Sequence, residues 1–374
     1  HRLVQAVARD QMGEERAKVW AEAAVELLGK AYRFDKQNMD TWIKCRQLMP
    51  HLATATDLAA EWGIESNRAA FLNNEAGYYL RHYGDLAGAR PYYERALAIY
   101  EKALGPDHPD TAVSLNNLGN LLQDMGDLAG ARPYLERALA IWEKALGPDH
   151  PDTATSMNDL AGLFVATGEY EKAKPLRERV LEIYTSKLGE NHPWTATSLN
   201  NLGRLLQDMG DLAGARPYVE RALAIYEKAL GPDHPDTAQS LNNLGALLEA
   251  MGDLAGARPY YERALAIREK ALGPDHPDTA NSLNNLGYLL KAMGDLAGAR
   301  PYFEQAYTIR EKSLGTKHPD TAQSLWWLGV IAERDSDRSK ARDLYQQALA
   351  IYEHALGTDH ATTKSVHRFL ENVS

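Results

Sequence analysis

The stretch Leu128-Ala-Gly-Ala-Arg-Pro-Tyr134 decides the fold, because the same seven letters recur along the chain. Intact copies are 42 residues or twice that distance apart, and they begin at Leu86, Leu128, Leu212, Leu254 and Leu296. Diverged copies begin at Tyr170 and Arg338. A fixed period of this length is typical of solenoids, in which each repeat stacks on its neighbours. We therefore divide residues 70–363 into seven repeats, which cover 70–111, 112–153, 154–195, 196–237, 238–279, 280–321 and 322–363.

The repeat that starts at Ala112 shows what one unit contains. Leu115, Leu118 and Leu122 recur at helical spacing, and Gly126-Asp127 then supplies a helix stop and a fresh N-cap. A second apolar pattern runs on to Leu146-Gly147 and indicates a longer helix. Because one helix pair cannot bury its apolar faces alone, the units must stack. The sequence therefore predicts an all-α solenoid of antiparallel helix pairs.

The linker Gly105-Pro106-Asp107-His108-Pro109-Asp110-Thr111 contains residue types that bind metals or act in catalysis. Each copy lies one repeat away from the next, so no loop can bring three ligands together. A structural interpretation suffices, in which Gly105 ends one helix and Asp110 or Thr111 caps the next. The chain also lacks the glycine spacing of a phosphate-binding loop. We expect no enzymatic activity, no metal and no cofactor.

Composition narrows the class of partner. The formal net charge of -10 disfavours a nucleic-acid partner, because phosphate binding depends on Lys and Arg. No apolar run approaches the roughly 18 residues that a membrane span needs. The single cysteine, Cys45, cannot form an internal disulfide and fits a reducing compartment. We expect a cytoplasmic protein that binds a protein or a peptide.

Residues 1–69 and 364–374 flank the repeats. Amphipathic patterns over 14–31 and 41–62 predict two helices that pack on the first repeat. We interpret residues 1–69 as a helical linker or cap that follows a further domain. Residues 364–374 begin an eighth first helix and are expected to cap the other end.

Several framework residues resemble the tetratricopeptide repeat, in the 42-residue form of kinesin light chains and bacterial multidomain proteins. They are Leu118-Gly119, Ala131, Ala138 and the linker Leu146-Gly147-Pro148-Asp149-His150-Pro151. The resemblance implies a right-handed superhelical solenoid whose concave groove, lined by the first helices, binds a protein or peptide. The seventh repeat departs from the pattern, since Trp326-Trp327 replaces Asn-Asn and Asp343 replaces the proline of the second helix.

A ladder of asparagines follows the predicted groove. On the first helix, Val113, Asn116, Asn120 and Gln123 form a stripe opposite the apolar one. The Asn116 position is occupied in successive repeats by Asn74, Asn116, Asn158, Asn200, Asn242, Asn284 and Trp326. An amide both donates and accepts, so the ladder is suited to binding a peptide backbone. Alternatively the amides bridge adjacent repeats, and the two roles are compatible.

Two positions beside the ladder vary among repeats that are otherwise nearly identical. The Asn120 position holds Tyr, Asn, Gly, Arg, Ala, Tyr and Val in order, and the Gln123 position varies in charge and size. Exposed second-helix positions such as Arg132 and Glu136 vary far less. We therefore predict that the partner contacts Tyr78, Arg81, Arg204, Gln207, Tyr288 and Lys291. Trp326 and Trp327 either anchor the partner or fill the last repeat interface.

The opening His1-Arg2-Leu3-Val4-Gln5, followed by a helical pair and 42-residue repeats, resembles the junction in bacterial STAND-type NTPases of the NB-ARC class. The resemblance implies an NTPase domain upstream in the same chain, with the repeats as its sensor and oligomers forming through that domain. Two alternatives stay open. One is a freestanding peptide-binding adaptor similar to kinesin light chain, and the other is a self-associating scaffold.

Overall fold

The computed structural model describes residues 13–64 and 66–373, and the regular elements in these ranges are all α-helices. The opening motif His1–Gln5 lies outside the described residues. The all-α solenoid predicted from the repeat is confirmed. Among the described helices, none is both long enough and apolar enough to cross a lipid bilayer.

Each repeat contains a first helix and a second helix, so the two kinds alternate along the chain. Outside the repeats lie α1 (Glu14–Ala31), α2 (Met39–Glu61) and α17 (Ala361–Val373). The first helices are α3 (Asn67–His82), α5 (Pro109–Asp124), α7 (Pro151–Ala166), α9 (Pro193–Asp208), α11 (Pro235–Ala250), α13 (Pro277–Ala292) and α15 (Pro319–Arg334). The second helices are α4 (Leu86–Leu104), α6 (Leu128–Leu146), α8 (Tyr170–Leu188), α10 (Leu212–Ala229), α12 (Leu254–Ala271), α14 (Leu296–Leu314) and α16 (Arg338–Leu356).

The predicted turn at Gly126-Asp127 is confirmed. Gly126 adopts φ 80°, which glycine tolerates and other residues rarely adopt. The Asp127 carboxylate then accepts a hydrogen bond from the Gly130 N–H at 2.9 Å and caps α6. In the third repeat the same position holds Glu169, whose side chain makes no cap bond.

The predicted cap of the first helices was wrong. In the repeat linker the histidine precedes the helix, and the His150 Nδ1 atom accepts from the Asp152 N–H at 3.2 Å. Pro151 occupies the first helical position, where its missing N–H and fixed φ cost nothing. The linker threonine instead donates its hydroxyl proton to the carbonyl of the preceding glycine, at 2.8 Å for Thr153 and Gly147. The first helices therefore begin three residues earlier than the predicted repeat boundaries.

Small residues let the two helices of a repeat approach closely. In the fifth repeat, a Cβ atom added to Gly245 would lie 2.8 Å from the Tyr261 ring. Ala238 and Ala264 are fully buried in the same repeat. Within each unit, alanines, leucines and aromatic rings form the apolar core between neighbouring helices.

The chain divides into two compact units. One comprises residues up to 122 together with 133–141, and the other comprises residues 123–132 and those from 142 onward. In the first unit, the Tyr32 ring meets the Tyr79 ring edge-on at 6.3 Å, which joins the N-terminal helices to α3. Another face of α1 carries exposed apolar side chains, since Trp20 is 65% exposed and Leu27 is 70% exposed.

Candidate functional site

The structure places much of the asparagine ladder between repeats. Asn74, Asn200, Asn242 and Asn284 are all less than one tenth exposed. Each of the first three donates from Nδ2 to a serine hydroxyl on the first helix of the next repeat, at 2.9–3.3 Å. These amides bridge successive first helices. Contact between the ladder and a bound peptide stays a prediction.

Two buried arginines, which the sequence reading did not single out, extend this polar layer toward the C-terminus. Arg268 donates to Gln239, to Ser282 and to the Asp278 carbonyl at 2.7–3.0 Å. Arg310 makes the equivalent contacts one repeat later, with Asn281, Ser324 and the Asp320 carbonyl. When the Asn284 amide is oriented by its hydrogen bonds, its oxygen accepts from the two Arg310 Nη atoms at 2.5 and 3.0 Å.

The third and fourth repeats have tyrosine at the same position. The Tyr184 hydroxyl lies 3.0 Å from the Thr155 hydroxyl, and the Tyr226 hydroxyl lies 2.7 Å from that of Thr197. Burial lowers the pKa of both Arg268 and Arg310, because a guanidinium ion loses hydration in the interior. This position is therefore neutral in the third and fourth repeats and carries a buried guanidinium in the fifth and sixth.

The first two predicted specificity residues lie beside the N-terminal helices. The Tyr78 ring lies 5.6 Å from Phe34 and 4.3 Å from His82, centroid to centroid. Burial raises the pKa of the Tyr78 hydroxyl. Arg81, one turn further along, is partly buried. Tyr78 therefore belongs to an aromatic cluster of its own unit and is only partly exposed.

Tyr288 and Lys291 lie together with the tryptophan pair. The Tyr288 ring meets the Trp327 ring edge-on at 4.7 Å, and the Lys291 ammonium lies 4.3 Å above the Trp327 ring. Trp326 stacks on Trp327 at 5.3 Å and meets Phe369 of α17 at 5.5 Å. Of the two interpretations of the tryptophans, these contacts favour the filling of the last interface.

Arg204 and Gln207 lie on the first helix of the fourth repeat. Arg204 is exposed and has no hydrogen-bond or ion-pair partner among the described residues. Gln207 is partly buried.

Arg177, which the sequence reading did not single out, is only 9% exposed and donates from Nη1 to the Asn158 amide oxygen. Its replacement of the apolar residue found in other repeats, such as Leu135, was the available signal.

Helix pairs that repeat at a fixed period and stack on one another define the class of α-solenoid repeat proteins. The particular family follows from the residue pattern: the chain belongs to the tetratricopeptide repeat family. The family model matches residues 67–129, 113–184, 163–228, 202–270, 238–312 and 283–354. Proteins with this repeat are generally protein–protein interaction modules, and the fold is typically a non-catalytic scaffold.

The similar solved structures include some that share more than a quarter of their residues with this chain and others that share only the fold. The nearly identical repeats of a kinesin light chain from Podosopora anserina are 28% identical, with a TM-score of 0.46 over 53% of this chain and 93% of that one. BtubC from P. vanneervenii is 26% identical, with a TM-score of 0.47 over 63% and 92%. A Rap protein complexed with competence and sporulation factor is 13% identical, with a TM-score of 0.54 over 90% and 96%, which is a likeness of fold alone. No curated protein matches the chain.

Proposed function

We propose that the chain is a recognition module that binds a peptide or protein along its first helices, and that it serves as the sensor of a STAND-type signalling NTPase. One observation carries the binding proposal: the first-helix positions of Asn120 and Gln123 vary among repeats whose framework is nearly constant. Arg204 is exposed on this surface and has no partner of its own among the described residues. A partner that spans several repeats would meet a different side chain in each.

The exposed apolar face of α1 favours the role of a sensor over that of a freestanding adaptor. Val19, Trp20 and Leu27 are each more than 60% exposed on one 18-residue helix. An exposed apolar patch of this kind usually marks a surface that another polypeptide covers. An NTPase domain placed before α1 would cover it. The alternative is an adaptor similar to kinesin light chain, which docks a short linear motif without any switch.

The binding proposal is tested by selecting a random 12-residue peptide library against the full chain. The matched variant is Arg204→Asn with Lys291→Gln, because the second repeat carries Asn120 and Gln123 at these positions. The control is Arg216→Gln with Glu220→Gln, which removes an exposed pair on a second helix. We expect selected peptides to lose at least tenfold in affinity for the matched variant and to keep their affinity for the control.

Two results would count against the proposal: recovery of no peptide, or equal affinity for the matched variant and the wild type. The asparagine ladder is a poorer target, because its buried amides also join the repeats and their removal would lower stability. The sensor role is tested separately by the open reading frame. A P-loop and a winged helix upstream of His1 support it, whereas a start codon near His1 contradicts it.

A further inference from the structure

A cleft lies beside the turn of the seventh repeat, between the second helices α14 and α16. Its volume is about 320 Å³, and all its lining residues belong to the second compact unit. Apolar side chains line it, namely those of Leu328, Ile331, Ala332 and Leu344. Sites for small molecules have volumes of roughly 300–1,000 Å³, so the cleft is large enough for a small ligand.

The cleft exists because the seventh repeat lacks a large side chain at one position of its first helix. Ala332 stands where the other six repeats have a buried leucine or phenylalanine. The residues at the equivalent position are Leu80, Leu122, Phe164, Leu206, Leu248 and Leu290. Leu328, one turn before Ala332, is only partly buried, whereas its equivalent Leu286 is 2% exposed. The cleft therefore has space for an apolar group of about the size of a leucine side chain.

The Glu304 carboxylate lines the same cleft without its usual partner. In the fifth repeat the equivalent Glu262 pairs with Arg258 at 2.7 Å, and the first and fourth repeats have the same pair. In the sixth repeat, Arg300 pairs instead with Asp335 of the seventh repeat. Glu304 is exposed, and its carboxylate has no hydrogen-bond or ion-pair partner among the described residues.

Lys340 supplies the opposite charge from the other second helix. It stands on α16 where five repeats have glycine, such as Gly298 in the sixth repeat. Its side chain is exposed, and in the part of the chain that the structure describes its ammonium group has no acceptor. A carboxylate of α14, an ammonium group of α16 and an apolar surface therefore line one cleft.

We propose that this cleft binds a free α-amino acid whose apolar side chain has about the size of leucine. The side chain fills the space that Ala332 leaves, the ligand's ammonium group donates to Glu304, and its carboxylate accepts from Lys340. The variable first-helix positions Asn120 and Gln123 have no equivalent among the lining residues of the cleft. The site is therefore a second one, and it does not depend on the proposed function.

The site is tested by titration of the full chain with L-leucine. The isoleucine δ1 methyl groups are labelled with ¹³C, and the signal of Ile331 is assigned with Ile331→Val. We expect L-leucine to give a saturable shift of this signal and glycine, which lacks the side chain, to give none. Ala332→Leu, which restores the residue of most other repeats, should raise the dissociation constant at least tenfold.

The two charged contacts are tested with ligands that lack one charge each. Glu304→Gln should weaken binding of L-leucine at least tenfold and leave that of N-acetyl-L-leucine unchanged, because this ligand has no ammonium group. Lys340→Gln should weaken binding of L-leucine and leave that of L-leucinamide unchanged. Glu262→Gln is the matched control, because it changes the same position one repeat earlier, and it should leave the L-leucine titration unchanged.

Three results would overturn the site. One is a shift that rises linearly without saturation, and another is an equal response in wild type and Ala332→Leu. The third is binding of N-acetyl-L-leucinamide as tight as that of L-leucine, since this ligand has the side chain and neither charge. The third result would assign the cleft to an apolar side chain of a protein partner.

Discussion

At the residue scale, Arg310 shows how a buried charge is accommodated by neutral acceptors. Removal of its side chain as Arg310→Ala leaves Ser324 and Asn281 without their donor, and each buried group left unpaired costs roughly 1–3 kcal/mol. The better substitution is Arg310→Tyr with Asn281→Thr, which copies the Tyr226–Thr197 pair of the fourth repeat. Replacement of a buried ion by a well-packed neutral group is often neutral or stabilising.

We therefore expect Arg310→Ala to lower the free energy of unfolding by about 3 kcal/mol, and the Tyr–Thr double variant to leave it unchanged or higher. Urea denaturation followed by tryptophan fluorescence measures both, since Trp326 lies in the neighbouring interface. Equal stability of Arg310→Ala and the double variant would contradict this account of the polar layer.

The same residues show what the sequence could and could not predict. The helix pairs and the Gly126-Asp127 turn were predictable, because periodicity and turn chemistry are local properties of the chain. The burial of Asn284 and Arg310 was not, because it depends on how closely the next repeat approaches. Arg177 carried a sequence signal, but its burial and its hydrogen bond to Asn158 required the three-dimensional structure.

At the scale of one helix, the His360 cap makes α17 sensitive to protonation. Before α17, His360 Nδ1 accepts from the Thr362 N–H at 3.2 Å, a role that only an unprotonated Nδ1 can fill. Burial lowers the pKa of His360 in the folded protein, so folding favours the neutral ring. Its contribution to stability is complete above the ordinary value of about 6.5 and is lost as the pH falls through the lower folded value.

We expect amide exchange in α17 to accelerate, after correction for the intrinsic rate, when the pH falls from about 7.5 to about 5. His360→Asn supplies an N-cap that does not titrate, and it should remove most of this pH dependence. Hydrogen exchange with mass spectrometry on peptides within 361–373 measures the effect. Equal pH dependence in wild type and His360→Asn would show that the cap is not its source.

At the scale of the whole molecule, the exposed apolar face of α1 determines whether the chain associates with itself. A solenoid needs polar or covered ends, because each repeat buries its apolar surface only against a neighbour. α17 packs on the seventh repeat through Val366 and Phe369. At the N-terminal end, Trp20 and Leu27 project from α1 with most of their surface exposed.

We expect the chain to self-associate weakly at high micromolar concentration through this face, because two such surfaces bury apolar area against each other. Trp20→Gln with Leu27→Gln should give a monomer at every concentration. Trp194→Gln is the matched control, since it removes a tryptophan that is 47% exposed on α9. Sedimentation velocity over a hundredfold concentration range measures all three. Wild type that stays monomeric contradicts the expectation, and association that survives the α1 changes favours a scaffold joined through the repeats.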